Sequence, residues 1–202
     1  MRSLGERLVN LRTKVMNLRC GPGAAIFPEE VTRIHMDFSN KTQGGNMGAK
    51  KFWRECLPRL KFHNPATPMI VNRHPQETVS PLLSIYLRNS TPATTLGPLV
   101  QPASSRDGIS KAAQPSPHER VVTIDMKDKH SSQILEQLLA ETRAVAVEPT
   151  AEDSAELQAL ERGKKRSEKD RARVQTLKDA KQREEEMLKR ARAAGGIVED
   201  AA

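Results

Sequence analysis

Between Gly44 and Arg73 the chain reads GGNMGAKKFWRECLPRLKFHNPATPMIVNR, and this stretch constrains the fold more than any other. Two glycines and Asn46 close a strand-like run, and the glycine pair suits a turn that needs positive φ. From Met47 a helical pattern opens. Ala49, Phe52, Trp53, Cys56 and Leu57 recur at three- and four-residue spacing, so one helical face is apolar. Lys50, Lys51 and Arg54 fall on its flanks and back. Pro58 predicts the end of that helix, because its ring clashes with the preceding turn. Leu60 and Phe62 then alternate with Lys61 and His63. Asn64-Pro65 makes a turn before the apolar run Met69-Ile70-Val71. The stretch holds the only tryptophan and two of four phenylalanines in a chain with 3% aromatics. A compact core must therefore form here, with Trp53 largely buried in it.

The motifs in this stretch also carry a resemblance. Gly48-Ala49-Lys50, Phe52-Trp53, Leu57-Pro58, Leu60-Lys61-Phe62 and Asn64-Pro65 stand in order, and Val121-Val122-Thr123-Ile124-Asp125-Met126 follows before a short helix. The set resembles the domain shared by certain mitochondrial ribosomal proteins and a small accessory subunit of mitochondrial NADH dehydrogenase, and is most similar to its fungal large-subunit branch. It covers residues 1–148, with a gap for one loop. The resemblance implies a thioredoxin-like α/β domain in a structural constituent of the ribosome, not an oxidoreductase. The implied partners are mitochondrial rRNA and neighbouring mitochondrial ribosomal proteins, with residence in the matrix. An accessory subunit of the NADH dehydrogenase complex and a small-subunit ribosomal protein are the alternatives.

Composition narrows the choice independently. Only 37% of the 202 residues are hydrophobic and 29% are charged, which predicts a core of roughly 100 residues with extensions organised by partners. The net charge of +8 favours polyanions, because each neutralised phosphate releases condensed counterions. An anionic membrane surface competes for the same charge, but no apolar run is long enough to span a bilayer. The two cysteines, Cys20 and Cys56, form no Cys-x-x-Cys pair, so neither dithiol redox chemistry nor a zinc ribbon is supported. The five histidines are scattered without metal-ligand spacing. Neither a Gly-x-Ser-x-Gly elbow nor a phosphate-binding loop occurs. No enzyme, metal, cofactor or small-molecule substrate is expected.

Taken in order, residues 1–23 form a basic amphipathic helix, with Leu4, Leu8, Leu11, Val15 and Leu18 on one stripe. Arginine-rich and nearly free of acid, it reads either as a mitochondrial targeting segment or as a helix that packs on a partner. Residues 24–148 form the α/β domain. Val31–Phe38 alternates as a half-buried strand, with Arg33, His35 and Asp37 on the polar side. Met69–Arg73, Leu82–Leu87 and Val121–Met126 add three more strands, giving a small four-stranded mixed sheet covered by helices. Between Arg88 and Arg120 the chain is rich in Pro, Ser, Thr and Ala, and reads as an insertion ordered only by a partner. Removing Thr91–Gln114 should then leave the core intact. Asp128 and Ser131 offer oxygens to open a helix running to about Thr142. After a connector at Ala144–Pro149, residues 149–202 read as a long charged C-terminal helix.

Candidate RNA-binding residues follow from where the positive charge crowds. Lys41, Lys50, Lys51, Arg54, Arg59, Lys61 and Arg73 surround the central block, opposed there only by Glu55. Arg7, Arg12, Lys14 and Arg19 precede it. The C-terminal helix offers a further basic run, Lys164, Lys165, Arg166, Lys169, Arg171 and Arg173.

Overall fold

Local pattern alone accounts for most of the elements in the computed structural model, which describes residues 3–89 and 102–199. Along the chain these are α1 (Leu4–Arg19), β1 (Ala25–Ile26), β2 (Val31–Ser39), α2 (Met47–Glu55), α3 (Leu57–His63), β3 (Met69–His74), β4 (Leu82–Arg88), β5 (Glu119–Asp125), α4 (Ser131–Thr142), β6 (Val145–Ala146) and α5 (Ala151–Glu199). Residues 1–150 make one unit and 151–202 a second, whose described part is α5.

The four-stranded sheet has the order β3-β2-β4-β5. β2 and β3 run parallel, joined through α2 and α3, whereas β4 is antiparallel to both β2 and β5. The fold class is thus mixed α/β, with helices on a small mixed sheet and a long C-terminal helix.

Register places Ile34, Met36 and Phe38 beside Leu83, Ile85 and Val71 on one face. Phe52 of α2, Leu60 of α3 and Ile134 of α4 close over that face, each fully buried. The close approach of α2 to the loop before α4 needs Gly48. A Cβ there would stand 1.7 Å from the Lys129 carbonyl oxygen, with backbone on both sides. Gly48→Ala is therefore expected to cost about 2–3 kcal/mol, near the top of the overpacking range. A urea midpoint unchanged from wild type would refute it.

Several expectations change. Pro58 does not end a helix. α2 stops at Glu55, and Pro58 lies in the first turn of α3, where its missing N–H costs nothing. The alternation at Leu60–His63 is accordingly helical, with Leu60 buried and Phe62 48% exposed. Trp53 is half-buried rather than core. Its ring lies 5.8 Å from Phe38, and the Arg73 guanidinium stacks over it at 4.7 Å. His130, not Asp128 or Ser131, caps α4. Its ring accepts from the Ser132 N–H while Gln133 Oε1 accepts from the His130 N–H. Within the connector at 144–149, Val145–Ala146 pairs antiparallel with β1.

The largest correction concerns the polar face of the sheet. Arg33 and His35 are buried there, because residues 104–118 lie across it as a strap. Ser105 pairs with the β3 edge through bonds to Val71 and Arg73. The His35 ring donates from Nε2 to the Ser110 carbonyl at 2.8 Å, and the Tyr86 hydroxyl donates to the Ala113 carbonyl at 2.5 Å. Arg33 bonds Gln114 O and ion-pairs with Glu119 at 3.1 Å, with side chains 4% and 1% exposed. The chain's own sheet thus orders the second half of the predicted insertion. A deletion reaching Gln114 would strip partners from buried polar groups, so an untouched core is no longer the expected outcome. Its first half, residues 90–101, lies outside the described residues.

Candidate nucleic-acid interface

The eleven cations that crowd the central block and α1 in sequence are sorted in the structure by what each already touches. Five are engaged within the fold. Arg59, on α3, donates from Nε to Asn17 O at 2.6 Å and from Nη1 to Pro22 O at 2.9 Å. It thereby ties the end of α1 and the following turn to α3. Gly21, at φ +115°, leaves room for its guanidinium. Lys61 donates to the carbonyls of Pro65 and Thr67, at 3.0 and 2.9 Å, and holds the turn into β3. Lys50 reaches Asn40 O at 2.5 Å across the loop before α2. Lys41 pairs with Glu77 at 2.6 Å, a largely exposed contact of little energetic weight. Arg73 spends its planar face on Trp53.

The other six face outward. Lys51 and Arg54 stand one turn apart on the solvent side of α2, both exposed. Arg7 and Lys14 are exposed on α1. These four have no side-chain hydrogen bond or ion pair among the described residues. Arg12 and Arg19 are also exposed on α1. Met16 is the buried residue of that helix, and the His63 ring bonds the Arg19 carbonyl at 2.9 Å, so the C-terminal half of α1 is fastened to α3. Leu4, Leu8, Leu11 and Val15 remain between 43% and 80% exposed. The apolar stripe read from the sequence therefore faces away from the core.

Electrostatics in this region is shaped by burial. The Cys56 thiol is pushed up chiefly by desolvation, partly offset by Arg59 and Lys51, with Glu55 pushing it further up. It stays a neutral core group, and both cysteines are free and buried. The glycines Gly44 and Gly45 adopt φ +68° and +79°, as the turn reading required. Among the described residues, no group of three or more His, Cys, Asp or Glu is placed to hold a metal, and no helix is long and apolar enough to cross a membrane.

The buried polar layer under the strap has no local signal in the sequence. Arg33, His35 and Asp37 alternate as a solvent face would, and only the distant Glu119 and Ser110 reveal why Arg33 and His35 are covered. The one-sided charge of α5 is visible as composition, but only a continuous helix groups it on one face.

Residues 49–131 match the family described as the mitochondrial ribosomal protein L51 / S25 / CI-B8 domain. This span holds α2 through the start of α4, which includes the parallel β2–β3 crossover helices and three of the sheet strands. The chain is 46% identical over 185 residues to the large ribosomal subunit protein mL61 of Neurospora crassa, covering 92% of each chain. It is 30% identical over 89 residues to mL61 of Schizosaccharomyces pombe, covering 44% of this chain and 64% of that one. Against mL61 of Saccharomyces cerevisiae it is 29% identical over 79 residues, covering 37% and 58%. With a relative matched over nearly its whole length and the shared domain at its centre, the chain belongs to the mL61 family of large ribosomal subunit proteins.

Proposed function

We infer that the chain is a structural constituent of the large subunit of the mitochondrial ribosome, and that it works by neutralising rRNA phosphates and docking on neighbouring ribosomal proteins. The observation that carries this reading is the 46% identity to an mL61 protein over 92% of both chains. The relatives are ribosomal proteins, and the chain is not an enzyme.

The fold supports a division of labour among its cations. Arg59, Lys61, Lys50 and Arg73 shape the surface from within. Lys51 and Arg54 on α2, with Arg7, Arg12, Lys14 and Arg19 on α1, present charge outward. Phosphate contacts of this kind position a protein and read no sequence. The exposed stripe Leu4–Leu8–Leu11–Val15 offers a neighbouring protein the apolar area that this chain leaves uncovered.

Sedimentation of solubilised mitochondria through a sucrose gradient tests the placement. Co-migration with the large ribosomal particle is expected; co-migration with the respiratory NADH dehydrogenase complex or the small subunit would overturn it. The phosphate contacts are tested separately. Lys51→Gln with Arg54→Gln should reduce the log–log salt slope of RNA binding by about 0.7–0.9 for each phosphate no longer neutralised, equally across RNA sequences. An unchanged slope would remove α2 from the interface.

A further inference from the structure

A helix that exists only to be solvated interleaves opposite charges three and four residues apart, because like charges at those spacings repel. α5 departs from this in one segment. Between Arg162 and Arg173 seven basic residues stand against two acidic ones, whereas the remainder of Ala151–Glu199 carries six basic and nine acidic residues. Its excess of positive charge is local.

Helical geometry then groups that excess. Arg162, Lys165, Arg166, Lys169 and Arg173 sit at i, i+3, i+4, i+7 and i+11, and so share one face. The stripe is about 16 Å long at the helical rise. All five are exposed. Arg162 donates to Gln158 Oε1 at 3.3 Å, and the side chains of the other four make no hydrogen bond or ion pair among the described residues. Lys164 and Arg171 lie on the opposite side of the helix. No large apolar residue interrupts the stripe between Arg162 and Arg173; Gln158 and Thr176 flank it on the same face, and Leu177 stands at its edge one turn beyond Arg173.

We propose that this stripe is a second RNA-binding surface, seated along the phosphate backbone of a ribosomal RNA helix. A protein partner would need an apolar seam or anchor on the same face, and the stripe has neither. A single carboxylate would not employ five cations in line. An extended polyanion would, and the three arginines match phosphate in forked, two-bond geometry. The proposal rests on the ribosomal placement and adds a site on α5 to those on α1 and α2.

The test is salt-dependent binding of the full-length protein to an RNA duplex, followed by fluorescence anisotropy. Lys165→Gln, Arg166→Gln, Lys169→Gln and Arg173→Gln together should lower the log–log slope by about 3, at roughly 0.7–0.9 for each phosphate. Lys164→Gln with Arg171→Gln, on the opposite side, should leave the slope nearly unchanged. Far-UV circular dichroism should show the helix retained in both variants. A quadruple variant with the wild-type slope overturns the proposal, as does a control variant whose slope falls as much for each charge removed. Loss of a protein neighbour from the purified subunit with RNA binding intact would assign the stripe to protein, and also overturns it. Wild-type sedimentation with the large subunit is read separately, so failure of the placement and failure of the stripe are distinguishable.

Discussion

Glu119→Ala is expected to destabilise the α/β unit by about 3–5 kcal/mol, because it strands the Arg33 guanidinium in a buried site. Glu119 Oε2 accepts from Arg33 Nη2 and from the Ser116 N–H, each at 3.1 Å, while Oε1 accepts from the Thr32 hydroxyl at 2.7 Å. The same guanidinium stacks 4.1 Å from the centre of the Tyr86 ring. Removing the carboxylate takes three partners at once and loosens the strap at its β5 end. Replacing the pair together, as Arg33→Met with Glu119→Leu, should cost far less, since no buried charge is left alone. A double variant as damaged as the single one would show that the loss is packing, not charge.

Glu119 also gives the protein a pH signature. Desolvation pushes its carboxyl up, but the bonds from Thr32 and Ser116 and the field of Arg33 outweigh it and hold the group below the ordinary glutamate value. A depressed folded value means that the unfolded chain binds the proton more readily. The contribution to stability is therefore present above about pH 4.3 and is lost as pH falls through the depressed folded value. Urea midpoints measured from pH 7 downward should decline across that acid range in wild type. The decline should be shallower in the Arg33→Met, Glu119→Leu variant, and equal slopes would contradict the assignment.

Phe52→Ala is the second large expected loss, again about 3–5 kcal/mol. The side chain is fully buried where α2 meets the sheet, so its removal leaves a cavity that helix and sheet hold open. For a domain of this size such a loss approaches the whole margin of stability. Trp53→Ala should cost clearly less, despite the larger ring, because the indole is half-buried and one face is already given to Arg73. Thermal denaturation of the two variants side by side decides it. Equal losses would mean that Trp53 is core after all.

The contrast between these two neighbours shows how far the sequence reaches. Three- and four-residue spacing places Phe52 and Trp53 on the same apolar face of α2, and it is right about the face. It cannot say how far along that face the sheet extends. Phe52 meets the sheet centre, whereas Trp53 lies toward the edge strand β3, beside Arg73. Pro58 gives the same lesson in reverse. Its ring forbids a helix interior, but a break at Cys56 moves it into a first turn, where the prohibition lapses.

α3, β1 and β6 left no readable pattern in the sequence. The sequence by itself determined β2 to β5 from period-two alternation, α1, α2 and α4 from apolar spacing, and the glycine turn before α2 and the long charged C-terminal helix from composition. These depend on interactions within a few residues, so pattern is enough to read them. Tertiary structure alone decided which polar groups are spent inside the fold. Arg59 finds its acceptors at Asn17 and Pro22, Arg33 its carboxylate at Glu119, and His35 its carbonyl at Ser110. Each partner lies more than 35 residues away, beyond any local period. A buried charge or imidazole must be paired to be tolerated, and pairing over that distance exists only once the sheet and its strap have brought the segments together.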